Sequence, residues 1–302
     1  MSLGSKIVRF EQDHERGVHT IVLADGREVS EPSEQSFDPR LGIRSTVYEV
    51  ASRTLILHLV EGRYVTVEVG HGRDDQSRAA RHVVYLDQCH WVSLARCLHS
   101  PEKLNETERH AAATVIGWAR NKQIILPLSS AHTSEIGSAR PTYRATLIPL
   151  MLELSSGWQM RCPLQVRRDE LTAMFRARQR GTSADSSRAS SVFTLEPGAL
   201  FDKYEPVTSS LPNALADLHR RLTWVTALYS ALLDEEPVDA TVAMEMADRW
   251  ATSFHELSQQ LRDNLTAREH SREVVLVRVL MDMRDDVVWA ALAAGTLFVR
   301  IV

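Results

Sequence analysis

The chain has 302 residues, 44% of them apolar and 25% charged, and a formal net charge of -4. That mixture excludes disorder throughout. The acidic balance excludes steering of a polyanion by a whole-protein positive field, so nucleic-acid affinity would require a local basic patch. Cys89, Cys97 and Cys162 stand in no paired spacing, which argues against a disulfide framework or a zinc ribbon and for a reducing compartment. The N-terminal segment has no apolar core behind Lys6, and no apolar run reaches the ~20 residues of a membrane span. The expectation is a soluble, cytoplasmic protein with no membrane partner.

Taken in chain order, Ile7 to Val69 reads as β structure. Thr20–Leu23, a turn carrying Asp25-Gly26, and Arg27–Val29 form one hairpin pattern; Thr54–Val60, Glu61-Gly62 and Arg63–Val69 form another. Alternating apolar and polar residues predict one buried and one wet face. Residues 1–78 are therefore expected to be a small antiparallel β module, joined by the polar stretch Gly70–Ala80 to a second domain spanning 79–302.

His82–Asp87 is a short apolar run ending in an acid, as a buried parallel strand would be. A helix over His90–Leu98 stops at Ser100-Pro101, and Asn105-x-x-Glu108 is a capping box ahead of a helix to about Arg120. Gln123–Leu128 reads as a second buried strand, with Ser129 or Ser130 placed to cap the next helix. Pro141 opens a helix to Ser155, with Gly157 suited to its end, and Val166–Arg180 is helical and Arg-rich. Gly181–Asn213 has the composition of a flexible insertion, which with the amphipathic helices Asn213–Leu233 and Val238–Asn264 makes an interruption at about 181–264. Arg272–Met283 is apolar and fits strand or helix; Asp286–Ala294 reads as a helix and Leu297–Val302 as a strand. The strand–helix alternation predicts an α/β fold with a parallel sheet flanked by helices.

In such a sheet, ligands bind at the carboxyl ends of the strands. Asp87 ends the first strand, Glu135 lies about one turn into the helix after the second, and Asp285 and Asp286 open the last helix. Hard oxygen ligands gathered in this way suit Mg²⁺ or Mn²⁺, and such an ion can hold a phosphodiester and lower the pKa of an attacking water.

Three segments carry a family resemblance. Val83-Val-Tyr-Leu-Asp87-Gln-x-x-Trp91-x-x-Leu94-Ala95 resembles the opening strand and helix of PIN-type nucleases. Ile124-Ile-Leu-Pro-Leu-Ser, with Glu135 beyond it, is similar to that family's second strand and second acid. Asp286-Val-Val-Trp-Ala-Ala-Leu-Ala-Ala-Gly295 is similar to the helix that opens with the third acid. The resemblance covers about 81–302 and implies a Rossmann-like sheet and a Mg²⁺- or Mn²⁺-dependent nuclease. The expected substrate is RNA rather than DNA, and the expected setting is that of a toxin or defence effector with an antitoxin-like partner. On this reading Asp87, Glu135 and Asp286 are catalytic metal ligands, with Asp285 and Glu170 as further acids. One feature departs from the pattern: the chain ends Leu297-Phe-Val-Arg300-Ile-Val without the family's usual fourth acid. This departure keeps open a catalytically inactive module that binds nucleic acid or protein.

Arg161, Arg167, Arg168, Arg176, Arg178, Arg180 and Arg188 form the densest basic stretch, of which Arg167, Arg168, Arg176, Arg178 and Arg180 are the candidates to track a nucleic-acid backbone; a solvated helix face with a basic loop is the competing reading. Asp169 and Glu170 could equally balance these arginines near a helix start. His132 and Glu135 share a helix face, as a metal pair, an acid–base pair or a local hydrogen bond. Trp91 and Trp118 fall in apolar helical patterns and are expected in the core, and Cys89 is expected to pack rather than react. The helices between Asn213 and Asn264 could pair with each other or with a second copy of the chain.

Overall fold

The computed structural model describes residues 7–32, 42–70, 81–137, 140–182, 192–201, 213–233, 252, 255–259 and 261–295. The expected strand Leu297–Val302 with Arg300, most of the expected helix Val238–Asn264, and nearly all of the linker Gly70–Ala80 lie outside the described residues. Contacts divide the chain into two compact units, Met1–Cys162 with Phe193–Glu236, and Pro163–Val192 with Pro237–Val302. The boundary expected near residue 78 falls inside the first unit.

The main sheet of the first unit is antiparallel, with six strands: β1 (Ile7–Asp13), β2 (Val18–Leu23), β3 (Glu28–Pro32), β4 (Ile43–Glu49), β5 (Thr54–Leu59) and β6 (Tyr64–Glu68). Their order is β3-β2-β1-β4-β5-β6. Both expected hairpins form. The Leu23 and Leu59 amides donate to the Arg27 and Arg63 carbonyls, and Gly26 (φ +83°) and Gly62 (φ +85°) take the left-handed position that closes each loop. The two hairpins are joined through β1 and β4, which pair in the register Phe10↔Tyr48.

This topology corrects the expected parallel, Rossmann-like sheet. Parallel pairing among the described residues is confined to β7 (His82–Val83) on β8 (Ile124–Ile125) and a single bridge, Leu128↔Gln159. The apolar runs expected as full strands are indeed buried from Ile124 to Leu128, but burial is not pairing. Pro127 has no N–H to donate to a ladder, and the chain at Asp87 already turns to cap a helix. A further pair, β9 (Gln159–Met160) with β10 (Phe193–Thr194), is antiparallel. It places an ordered strand, and the buried Leu195 and Leu200, inside the stretch expected to be a flexible insertion.

The helices of this unit are α1 (Gln88–His99), α2 (Glu106–Arg120), α3 (Ser130–Gly137), α4 (Pro141–Ser155) and α6 (Asn213–Leu233). The alternation of β5 and β6 turns Leu55, Leu57, Leu59, Val65 and Val67 into a core. Trp91 and Leu94 of α1, Ile116 of α2, Leu147 and Met151 of α4 and Leu228 of α6 belong to the same cluster. Asn105 and Glu108 form the expected capping box at α2, by reciprocal hydrogen bonds of 2.9 and 3.0 Å. Trp91 is buried as expected, whereas Trp118 is 47% exposed.

An ionic latch fastens the end of the sheet to the chain that follows. Glu68 accepts from both terminal nitrogens of Arg81 at 3.0 Å and from Trp158 Nε1 at 3.3 Å, with Lys122 Nζ 3.4 Å away. Burial alone would raise the Glu68 carboxyl, but the bonds and charge of Arg81, with Lys122 and Trp158, hold it below its ordinary value.

The second unit contains α5 (Pro163–Gln179), α7 (Leu265–Glu269), α8 (Ser271–Asp282) and α9 (Arg284–Ala293). The ambiguous stretch Arg272–Met283 is thus helical. Among its described residues, Thr172 and Ala177 of α5 and Asp286, Ala290 and Ala291 of α9 are buried. Small side chains at these positions suit close approach of two helices.

Candidate functional site

In the first unit the candidate residues gather where β7 and β8 give way to helices. Asp87 is extended (φ -73°, ψ 161°) and caps α1: its Oδ1 accepts from the Gln88 amide at 2.9 Å. A short acid is suited to this place, where it accepts an N–H left free at the helix start. Asp87 is exposed, as is Glu135 on α3.

His132, on the same helix as Glu135, is 1% exposed. Its Nδ1 accepts from the Ser129 backbone amide at 3.1 Å, and its Nε2 lies 2.7 Å from the Leu86 carbonyl oxygen. An amide can only donate and a carbonyl can only accept, so the imidazole is the neutral tautomer with the proton on Nε2. Burial pushes its pKa below the ordinary value. The Leu86 bond and the negative charges of Glu135 and Asp87 pull the other way without cancelling that effect. Both carboxylates therefore lie within electrostatic reach of one imidazole. His132 itself is not available as a ligand or base, because both nitrogens are engaged. It is a pin joining the end of the first apolar run to the start of α3, where Ser129 Oγ also accepts from the His132 amide at 3.4 Å.

The ring of Tyr85 stacks on His132, with centroids 5.3 Å apart and planes 17° from parallel, and Trp91 meets the imidazole edge-on at 6.1 Å. Tyr85 Oη lies 3.4 Å from Ser129 Oγ. Cys89, expected to pack, is instead exposed, with its Sγ 3.6 Å from His90 Nδ1 and 3.9 Å from Asp87 Oδ2. Sequence reasoning passed over Tyr85. The available signal was an aromatic two residues before an acid at a strand end, which is common and therefore weak.

The remaining acids belong to the second unit. Asp286 is 7% exposed, and its two oxygens accept separately from Arg167 and from Arg168, the latter at 2.8 Å. Burial would raise this carboxyl, but hydrogen bonds from Arg168 and Arg167 and their charges bring it below its ordinary value. Arg168 also lies over the Trp289 ring, 5.8 Å from its centroid. Asp286 thus ties α9 to α5, and its oxygens are spent on guanidinium groups. Asp285 and Glu170 are exposed.

Of the basic stretch, Arg167 and Arg168 are committed to Asp286, and Arg176 donates to the Ala293 carbonyl at 3.1 Å. Arg178 and Arg180 are exposed on the last turn of α5 and just beyond it.

An Asp286→Asn variant tests this assignment. It is expected to lose about 2 kcal/mol of stability in urea denaturation. That lies below the cost of breaking a fully buried pair, since both arginines are about a third exposed and recover water. Because the folded carboxyl titrates low, its contribution is present above the ordinary carboxylate range and is lost as pH falls through the folded value. A cation ligand would behave in the opposite way: Mn²⁺ affinity would fall and stability would not.

The chemistry of the donor set limits what the site can hold. Among the described residues, no group of three or more His, Cys, Asp or Glu comes together as a metal-ligand set. No helix of the described residues is long and apolar enough to cross a membrane. Comparison with protein-family models, with curated proteins and with solved structures finds no match.

Proposed function

We propose that the protein is a divalent-metal-dependent nuclease, acting on RNA in preference to DNA in the cytoplasm, with Asp87 and Glu135 as its Mg²⁺- or Mn²⁺-holding carboxylates. The observation that supports this reading is that the negative charges of those two exposed acids both act on the buried, neutral His132. Hard oxygen donors of this kind suit Mg²⁺ or Mn²⁺. When bound, a divalent ion supplies charge that orients a phosphodiester and lowers the pKa of water. The chain's own contribution is positional. The α1 cap holds Asp87 at the helix start, and the His132 pin holds α3, and with it Glu135, beside the end of the first apolar run.

The test is cleavage of labelled RNA and single-stranded DNA by purified protein in Mg²⁺, in Mn²⁺ and in EDTA, beside Asp87→Asn. Cutting that needs metal and is lost in the variant supports the reading. Cutting that survives EDTA, or that Asp87→Asn leaves unchanged, defeats it.

A second reading, a module that binds nucleic acid or a protein partner without cutting, is favoured by one observation. The third expected acid, Asp286, is neutralised by two arginines. Tight RNA binding with no cleavage in any metal would select it. A toxin role with an antitoxin-like partner, and self-association, belong to the same proposal; growth arrest on expression and light scattering address them.

A further inference from the structure

Tyr85 stands among apolar residues at the end of β7, yet it is 49% exposed. One face of its ring is covered by His132, so the exposure belongs to the opposite face and the edge. Its support is rigid. His132 is locked by the Ser129 amide and the Leu86 carbonyl, Trp91 closes on it edge-on, and Ser129 Oγ lies at the tyrosine's own hydroxyl. A flat aromatic already ordered in the folded state loses little further freedom when a second ring settles on it.

We propose that the open face of Tyr85 is a stacking platform for an unpaired nucleobase, which makes the preferred substrate single-stranded. This inference rests on the reading of Asp87 and Glu135 as a nucleic-acid site. Tyr85 stands two residues before Asp87, and the imidazole that carries its ring is within electrostatic reach of both acids, so a base on this face lies in the neighbourhood of the acids. Bases in a duplex have their faces filled by their neighbours and cannot use such a platform, whereas any unpaired base can. The platform therefore selects strandedness and tolerates sequence.

Binding is read by fluorescence anisotropy with a labelled 12-nucleotide single strand and the matching duplex in Ca²⁺, for the parent protein and for Tyr85→Phe, Tyr85→Trp and Tyr85→Leu. The single strand is expected to bind roughly tenfold tighter than the duplex. Tyr85→Phe should stay within about twofold of the parent, Tyr85→Trp should equal or exceed it, and Tyr85→Leu should bind roughly tenfold more weakly. Should Tyr85→Leu fail to fold, nitration of the parent protein mapped by peptide mass spectrometry gives the same answer. Tyr85 is expected to be modified, and the single strand but not the duplex should protect it. Equal affinity for duplex, undiminished binding by Tyr85→Leu, no binding at all, or unprotected Tyr85 each overturns the inference. The two proposals fail separately. Tyr85-dependent single-strand binding without metal-dependent cleavage would end the nuclease reading alone, and cleavage indifferent to Tyr85→Leu would end the platform alone.

Discussion

Asp87→Asn is expected, on the proposed nuclease reading, to cut nucleic acid at least about a hundredfold more slowly than the parent, while its unfolding free energy in urea stays within about 0.5 kcal/mol of the parent's. Both halves of the result come from the residue's double duty. Its Oδ1 caps α1 through the Gln88 amide, and asparagine caps a helix start about as well as aspartate. The lost charge near the helix N-terminus costs only a few tenths of a kcal/mol at an exposed position. What the substitution removes is the anionic oxygen that would hold a cation. Asp87→Ala removes the cap as well and should lose a further ~1 kcal/mol of stability. Equal cutting by the asparagine variant would reduce Asp87 to a cap. Equal stability of the alanine variant would show that the cap contributes little.

His132→Leu is expected to destabilise the fold by about 3 kcal/mol at pH 7.5, measured by urea denaturation. The leucine approximates the volume but leaves the Ser129 amide and the Leu86 carbonyl, both bonded to the imidazole in the parent, without partners; unpaired buried groups of this kind cost ~1–3 kcal/mol each. The parent should also show an acid sensitivity that the variant lacks. Its folded-state imidazole titrates below the ordinary value, chiefly through burial. The unfolded chain therefore binds a proton first, near pH ~6.5. The contribution of His132 is complete above that pH and is lost as pH falls through the folded-state value. Protonation would put a hydrogen on Nδ1 facing the Ser129 N–H, so the lock itself opens. A variant whose stability falls with acid as steeply as the parent's would refute this role.

The pin also explains why the site was only half legible beforehand. Asp87 and Glu135 could be singled out because each follows a short apolar run by a few residues, and local chain geometry carries that far. The role of His132 could not be read in the same way. A histidine three residues from a glutamate on a helix fits a ligand, a base or a hydrogen-bonded residue equally well. The choice is made by Leu86, 46 residues upstream, whose carbonyl meets its Nε2. Asp286 is a sharper case. As an acid in the first turn of a helix it resembled the third acid of a nuclease family, but Arg167 and Arg168, more than a hundred residues earlier, take both its oxygens.

What the sequence determined by itself is the set of features closed within a few residues. These are the hairpins at Gly26 and Gly62, the Asn105–Glu108 capping box, the start of α4 at Pro141, and the alternation that buries one face of β5 and β6. Each depends on a turn's backbone angles, a cap's reach or a period of two, which are properties of neighbours in the chain. Only the tertiary structure decided which strands form the main sheet, that Ile124–Leu128 is buried without a long ladder, that Trp118 faces solvent, and that Asp286 is an ion-paired tether. A short apolar run reads alike whether its backbone pairs with a strand or its side chains merely fill a core, and a carboxylate reads alike whether arginine or a cation will face it. The partner settles each case, and the partner is brought by the fold from a distant part of the chain.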